Sequence, residues 1–231
     1  MMCSLRREFM KIFDDFYIYL WNGNDNNCNT CLFANVLPDG KHVVVDPGHY
    51  VTPSYQEPGL ERLLKEMRRD GISYSSIGLV ILTHGHPDHC ESAIAMQQQF
   101  HALVAMHQAD EEMFQMQGGK PDFYLQDGML ELGNKAVTGI QVLHSPGHSP
   151  GHIALYWPHR KILVAGDCVF YRSTGRTDFP GGSAELLRQS IQRMSRLDVE
   201  YLLCGHPYGH SGFIQGGEEI RENFELILRY I

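Results

Sequence analysis

Apolar residues along this chain follow two patterns: short runs rich in Val, Ile and Leu, and longer stretches in which they return every three or four positions. The runs predict buried strands over residues 43–45, 79–83, 102–106, 137–143, 153–157, 162–165 and 202–204, too continuously apolar to leave one face in water. Pro38-Asp39-Gly40 supplies turn chemistry for a hairpin ahead of the first. Leu60, Leu63, Leu64 and Met67 recur at i, i+3, i+4 and i+7, the stripe of a helix packed on one face. Further helices are predicted over 91–100 and 109–116, around Leu187, Ile191 and Met194 with Ser183 as N-cap, and through Ile220, Phe224, Ile227, Leu228 and Ile231. The strands and helices interleave with no Pro/Ser-rich linker. One layered α/β domain over residues 1–231 is expected, with similar halves at about 16–125 and 126–231.

A chain of 231 residues that is 43% hydrophobic and 20% charged can bury a core without staples. Its net charge of −8 and the lack of any basic block argue against a nucleic-acid partner. No run of 18 apolar residues is present, so no membrane span is expected. Asp14 and Asp15 interrupt the apolar N-terminal stretch, which argues against a signal peptide. The six cysteines (Cys3, Cys28, Cys31, Cys90, Cys168 and Cys204) are then expected as thiols in a cytoplasmic protein. Cys28 and Cys31 have C-x-x-C spacing without a second pair, and read as structural.

The densest chemistry is Thr83-His84-Gly85-His86-Pro87-Asp88-His89, directly after a predicted strand. Three imidazoles and a carboxylate within six residues suit a zinc or iron centre, and Gly85 and Pro87 predict a tight, non-helical loop on which they fan around a point. A second Gly/Pro loop, Ser145-Pro146-Gly147-His148-Ser149-Pro150-Gly151-His152, carries two more histidines. Strands then deliver Gly166-Asp167 and Gly205-His206 at their C-terminal ends, where α/β folds place their sites.

This His-x-His-x-Asp-His loop with a distant His, Asp and His resembles the signature of the metallo-β-lactamase superfamily. The resemblance spans nearly the whole chain and implies a four-layer αββα sandwich. It assigns one metal to His84, His86 and His148, a second to Asp88, His89 and His206, and makes Asp167 the bridge. It thus implies two divalent ions, zinc first, with iron or manganese acceptable to the same ligands. Two such ions ~3.5–4 Å apart generate hydroxide from a bridging water at neutral pH and polarise a carbonyl. Asp88 would orient that hydroxide, and no Ser or Cys nucleophile is needed.

Gly175-Arg176-Thr177-Asp178-Phe179, followed by Pro180-Gly181-Gly182, is similar to a segment shared by the glyoxalase II-like thioesterases (hydroxyacylglutathione hydrolases) and the persulfide dioxygenases. In the second branch a single iron would fall to His84, His148 and Asp167. Phe179-Pro180-Gly181-Gly182 and Thr174, where the dioxygenases usually have Cys, favour a small-molecule thioester hydrolase. Arg221 and Arg229 are the only basic residues after His206, which weakens glutathione specificity and keeps lactone and ester hydrolysis open. A non-catalytic metal-binding protein is the reading from outside enzymology, and the full ligand set argues against it.

Tyr171, Arg172 and Arg176 follow Asp167 on its loop and are candidate substrate contacts; for Arg176 a structural pair with Asp178 competes. Cys90 and Cys168 adjoin ligands in sequence but read as core, and His144 as a strand residue. His152 is expected to donate a hydrogen bond to a ligand. His42, His49, His101, His107, His159 and His210 read as surface or satisfied core, and the methionines of 106–116 as helix packing. Loops 50–57 and 118–125 are expected to shape the pocket.

Overall fold

The computed structural model describes residues 9–132 and 135–231; Cys3 lies outside them. A first sheet lines up, in chain order, β1 (Phe9–Phe13), β2 (Phe16–Tyr19), β3 (Thr30–Phe33), β4 (His42–Val45), β5 (Ile77–Ile81), β6 (Leu103–Met106) and β7 (Phe123–Tyr124). β1 to β4 pair antiparallel and β4 to β7 parallel. Parallel neighbours need a crossover, and α1 (Gly59–Arg69) and α2 (Pro87–Phe100) provide it on the outer face.

The second sheet uses β8 (Gly128–Leu132), β9 (Lys135–His144), β10 (Ile153–Trp157) and β11 (Ile162–Gly166). A two-stranded ribbon, β12 (Val169–Phe170) with β13 (Ser173–Thr174), precedes β14 (Tyr201–Cys204) and β15 (Phe213–Gln215). Its order is β15-β14-β11-β10-β9-β8, and only β11 and β14 run parallel. The short helix α3 (Glu111–Met116) follows β6, α4 (Ala184–Met194) joins β11 to β14, and α5 (Gly217–Leu228) follows β15.

The sheets pack face to face through Phe16, Phe33, Val45, Leu79 and Ile81 on one side and Ile140, Leu155, Trp157, Val164 and Leu203 on the other. Leu32, Val44 and Val80 point outward onto Leu60, Met67 and Met96. Leu163 and Leu202 do the same onto Leu187, Ile191 and Phe224. Strands covered on both faces must be apolar at every position, which is why they appear as runs rather than alternations. The result is the four-layer αββα sandwich.

Several short strands escape the apolar-run pattern. Asp14-Asp15, which looks like an interruption, is the turn of the β1–β2 hairpin, so the first sheet begins upstream of residue 16. β3, β7, β8, β12, β13 and β15 are too short or too mixed in polarity to register as runs. α2 begins at Pro87 rather than residue 91: Pro occupies the first turn, where its missing N–H costs no bond and its fixed φ suits the helix. Asp88 and His89 therefore stand on a helix and not on the loop that Gly85 and Pro87 predict. Ser183 caps α4 by accepting from the Leu186 amide, as its sequence position implies.

Leu163 is fully buried between its sheet and α4–α5. Leu163→Ala should cost about 2–5 kcal/mol and Ser183→Ala about 1 kcal/mol, read from denaturant midpoints at unchanged slope.

Candidate metal centre

Four strands of the two sheets end at one rim. β4 runs into Asp46, β5 into Thr83-His84, β11 into Asp167 and β14 into Gly205-His206. α2 adds Asp88 and His89 from its first turn, and the loop between β9 and β10 adds His148. Three sets of ligating atoms lie within 4.8 Å of one another: His84, His86 and His148; His84, His89 and Asp167; and Asp88, His89 and His206. All seven residues expected from the sequence thus converge. Asp167 sits between the sets, with Oδ2 3.6 Å from His148 Nε2 and 3.4 Å from His206 Nε2, and Oδ1 3.3 Å from His89 Nε2.

Hydrogen bonds behind the cluster fix how the imidazoles face it. Thr83 Oγ1 donates to Asp46 Oδ2 at 2.6 Å, so toward His84 it accepts, and His84 Nδ1 carries the proton (3.0 Å). His89 Nδ1 donates to Asp46 Oδ2 (2.8 Å), His148 Nδ1 to the Arg176 carbonyl (2.7 Å) and His206 Nδ1 to the Asn27 carbonyl (2.9 Å). Each of the four rings therefore turns its Nε2 inward, the atom it would present to a metal ion. His84 Nε2 and Asp167 Oδ1 are buried with no hydrogen-bond partner. His89 Nε2 and His206 Nε2 face each other at 3.1 Å, and His148 Nε2 faces His86 Nδ1 at 2.9 Å. This donor set fits metal ions.

The electrostatics point the same way. Burial, reinforced by neighbouring histidines, holds His84 well below the usual histidine range and brings His86 down to about 4. Burial opposes charge on His206 too, but Asp167 and Asp88 carry it up to about 9. Burial also opposes charge on Asp167, yet His206 and His89 hold its carboxyl far below the ordinary range. The pocket thus keeps its carboxylates ionised and calls for positive charge between them.

Several supporting residues carry no sequence motif. Asp46, at the Asp-Pro-Gly turn after β4, has φ of 51° and also accepts from the Thr83 amide at 2.7 Å. Asp110, fully buried, joins the two histidine loops by accepting from Gly85 N, Ser149 Oγ and Gly151 N. Gly205 has no room for a side chain, because a Cβ there would overlap the Asp167 carboxylate. Asn26 donates from Nδ2 to Asp88 Oδ2 at 2.5 Å and accepts from the Tyr208 hydroxyl at 2.8 Å. A carboxylate at a strand end is the one signal that could have marked Asp46; Asp110 has none.

Other expected residues fall differently. His152 is buried behind the centre, but its Nε2 accepts from the Asp167 amide (3.1 Å) rather than donating to a ligand, while its Nδ1 faces Ser145 Oγ (2.9 Å). Cys90 and Cys168 are buried, with sulfurs on the Gly85 and Ser145 carbonyls; Cys28 and Cys31 are buried thiols. His144 ends β9 and stacks on His107 at 4.1 Å. His49 bonds Glu91 at 2.7 Å and His42 accepts from the Asn35 amide.

The cluster opens into a cavity of about 1100 Å³. Arg176 reaches it while chelating Asp178 at 2.9 and 2.6 Å. Tyr171 and Arg172 line a different cavity against α5: Tyr171 stacks on His210 at 4.3 Å, and Arg172, at φ of 56°, turns the chain away. Met113 and Met116, expected as packing, line the main cavity because α3 is a short helix at the rim. Loops 50–57 and 118–125 do not line it. Among the described residues, no helix is long and apolar enough to cross a membrane.

A family model described as the metallo-beta-lactamase superfamily matches residues 23–206. The hydroxyacylglutathione hydrolase GloC of Haemophilus influenzae is 28% identical over 194 residues, covering 78% of this chain and 84% of that protein. Among solved structures, TTHA1623 in a di-iron-bound form superposes with a TM-score of 0.64 at 29% identity, covering 88% of this chain and 97% of that one. BLEG-1, a B3 metallo-beta-lactamase, does so with a TM-score of 0.69 at 25% identity over 91% and 99%.

Two variants probe the supports rather than the ligands. Gly205→Ala should displace the Asp167 carboxylate, lowering bound metal with circular dichroism unchanged. Asp46→Asn should weaken metal affinity roughly 10–100-fold by releasing His89, measured by competition with a chelator.

Proposed function

The chain belongs to the metallo-beta-lactamase superfamily, and from that premise we propose that it is a metal-dependent hydrolase of small-molecule thioesters, using two divalent ions, zinc first. The observation that carries this reading is the completeness of both ligand sets around a shared Asp167. His84, His86 and His148 would hold one ion, Asp88, His89 and His206 the other, with Asp167 common to both. The similarity to a hydroxyacylglutathione hydrolase supports the same class of substrate. Ions held there would lower the pKa of a water and polarise the thioester carbonyl.

The chain's own residues supply the rest. Asp88 Oδ2 faces the cavity 3.3 Å from His206 Nε2 and is steadied by Asn26, which Tyr208 holds in turn. In this position it takes a proton from the attacking water as the C–O bond forms. It returns the proton to the sulfur as the C–S bond breaks, so that a carboxylic acid and a thiol leave. The ring of Phe179 lies 5.1 Å from that of His86 and lines the same cavity.

His84→Ala and Asp167→Ala should lose thioester turnover and metal together, measured on one preparation by absorbance and elemental analysis. Normal metal and activity in either variant would remove the site assignment. Asp88→Asn should lower kcat about 10²–10⁴-fold. Oxygen uptake with a glutathione persulfide, without thioester turnover, would transfer the chain to the dioxygenase reading.

A further inference from the structure

The cavity that receives the substrate has two unlike walls. Beside His206 it is polar, with Asn26, Asp88 and Tyr208 linked by hydrogen bonds. Beside His86 and His148 it is mostly apolar, with the Arg176 guanidinium lying over the Phe179 ring at 4.4 Å. Met113 packs against Gly85, where an added Cβ would lie 2.7 Å from the Met113 Cβ, and Phe179 sets its ring 5.1 Å from His86 and 6.0 Å from His148. Met116 stands 70% exposed and Phe179 37% exposed at the mouth. Apolar side chains gathered at the mouth of a polar cavity offer a surface for the apolar part of a ligand, and methionine adapts its shape to alkyl chains.

Charge narrows the ligand further. Away from the ligand cluster, the Lys, Arg, Asp and Glu side chains lining this cavity, among the described residues, are Arg176 and Glu112. Arg176 is already spent on Asp178 through two hydrogen bonds. Glu112 opposes an incoming carboxylate, and the chain as a whole carries −8. His49, which also lines it, is held by Glu91, so a peptide-like carrier with two carboxylates, such as glutathione, meets no unpaired Lys or Arg among the described lining residues.

Resting on the thioester reading, we infer that the physiological substrate has one alkyl or aryl arm, lying across Met113, Met116 and Phe179, and that the rest of it bears no carboxylate that the protein recognises. Selectivity then comes from burying methylenes on this wall and not from reading glutathione. Each methylene fully buried is worth about fourfold in affinity, so a partly covered arm should gain about twofold per carbon.

Binding without turnover tests this. The metal-loaded protein is titrated calorimetrically with four thioethers that cannot be hydrolysed: S-ethyl and S-octyl glutathione, and S-ethyl and S-octyl N-acetylcysteamine. The octyl ligands are expected to bind at least tenfold tighter than the ethyl ones on both carriers, with N-acetylcysteamine no weaker than glutathione. Met116→Glu should shrink the octyl-to-ethyl ratio at least fivefold. Affinity independent of chain length, or glutathione ligands bound tenfold tighter than their N-acetylcysteamine counterparts, would overturn the inference. An octyl preference in a protein that hydrolyses lactones but no thioester would sink the thioester reading and leave the apolar wall standing.

Discussion

The Nε2 atoms of His89 and His206 meet at 3.1 Å, with both side chains buried. Two bare lone pairs at that distance would repel, and each ring already directs its Nδ1 proton to Asp46 or Asn27 on its far side. A metal ion held between them makes the arrangement favourable, and Asp167 and Asp88, which favour positive charge at this point, are placed to neutralise it. Much of the architecture serves this convergence. Two sheets buried on both faces bring the ends of β4, β5, β11 and β14 to one rim, and a helix that begins at Pro87 adds two more ligands.

A second ring of groups maintains the geometry at a cost in buried polarity. Asp110 is desolvated enough that its carboxyl lies above the usual range even while it accepts three hydrogen bonds. That cost is tolerable because it ties the His84–His86 loop to the His148 loop, which otherwise belong to different sheets. Glycine serves the same end where Gly205 lets Asp167 approach the chain.

The histidine cluster and the alternation of strands and helices were legible because metal ligands crowd into short motifs and buried strands appear as apolar runs. The partners of those ligands were not. Asp46 lies 43 residues from His89 and Asp110 lies 39 from Ser149, so only the folded chain reveals the pairing. In sequence, Pro87 looks like a breaker that puts Asp88 and His89 on a loop, whereas in the fold it starts a helix. Tyr171 and Arg172 lie close to Asp167 in sequence, but the β12–β13 ribbon and the left-handed backbone at Arg172 direct them to the other side. The cavity walls, built from α3 and the segment around Phe179, depend on tertiary placement that no local pattern encodes.

The most direct measurement is elemental analysis of protein purified without added metal or chelator, repeated after reconstitution with zinc, iron and manganese. Two ions per chain is the result that the paired ligand sets around Asp167 predict. A single ion per chain that no reconstitution raises would contradict the shared centre, and no metal at all would contradict the reading of the cluster itself.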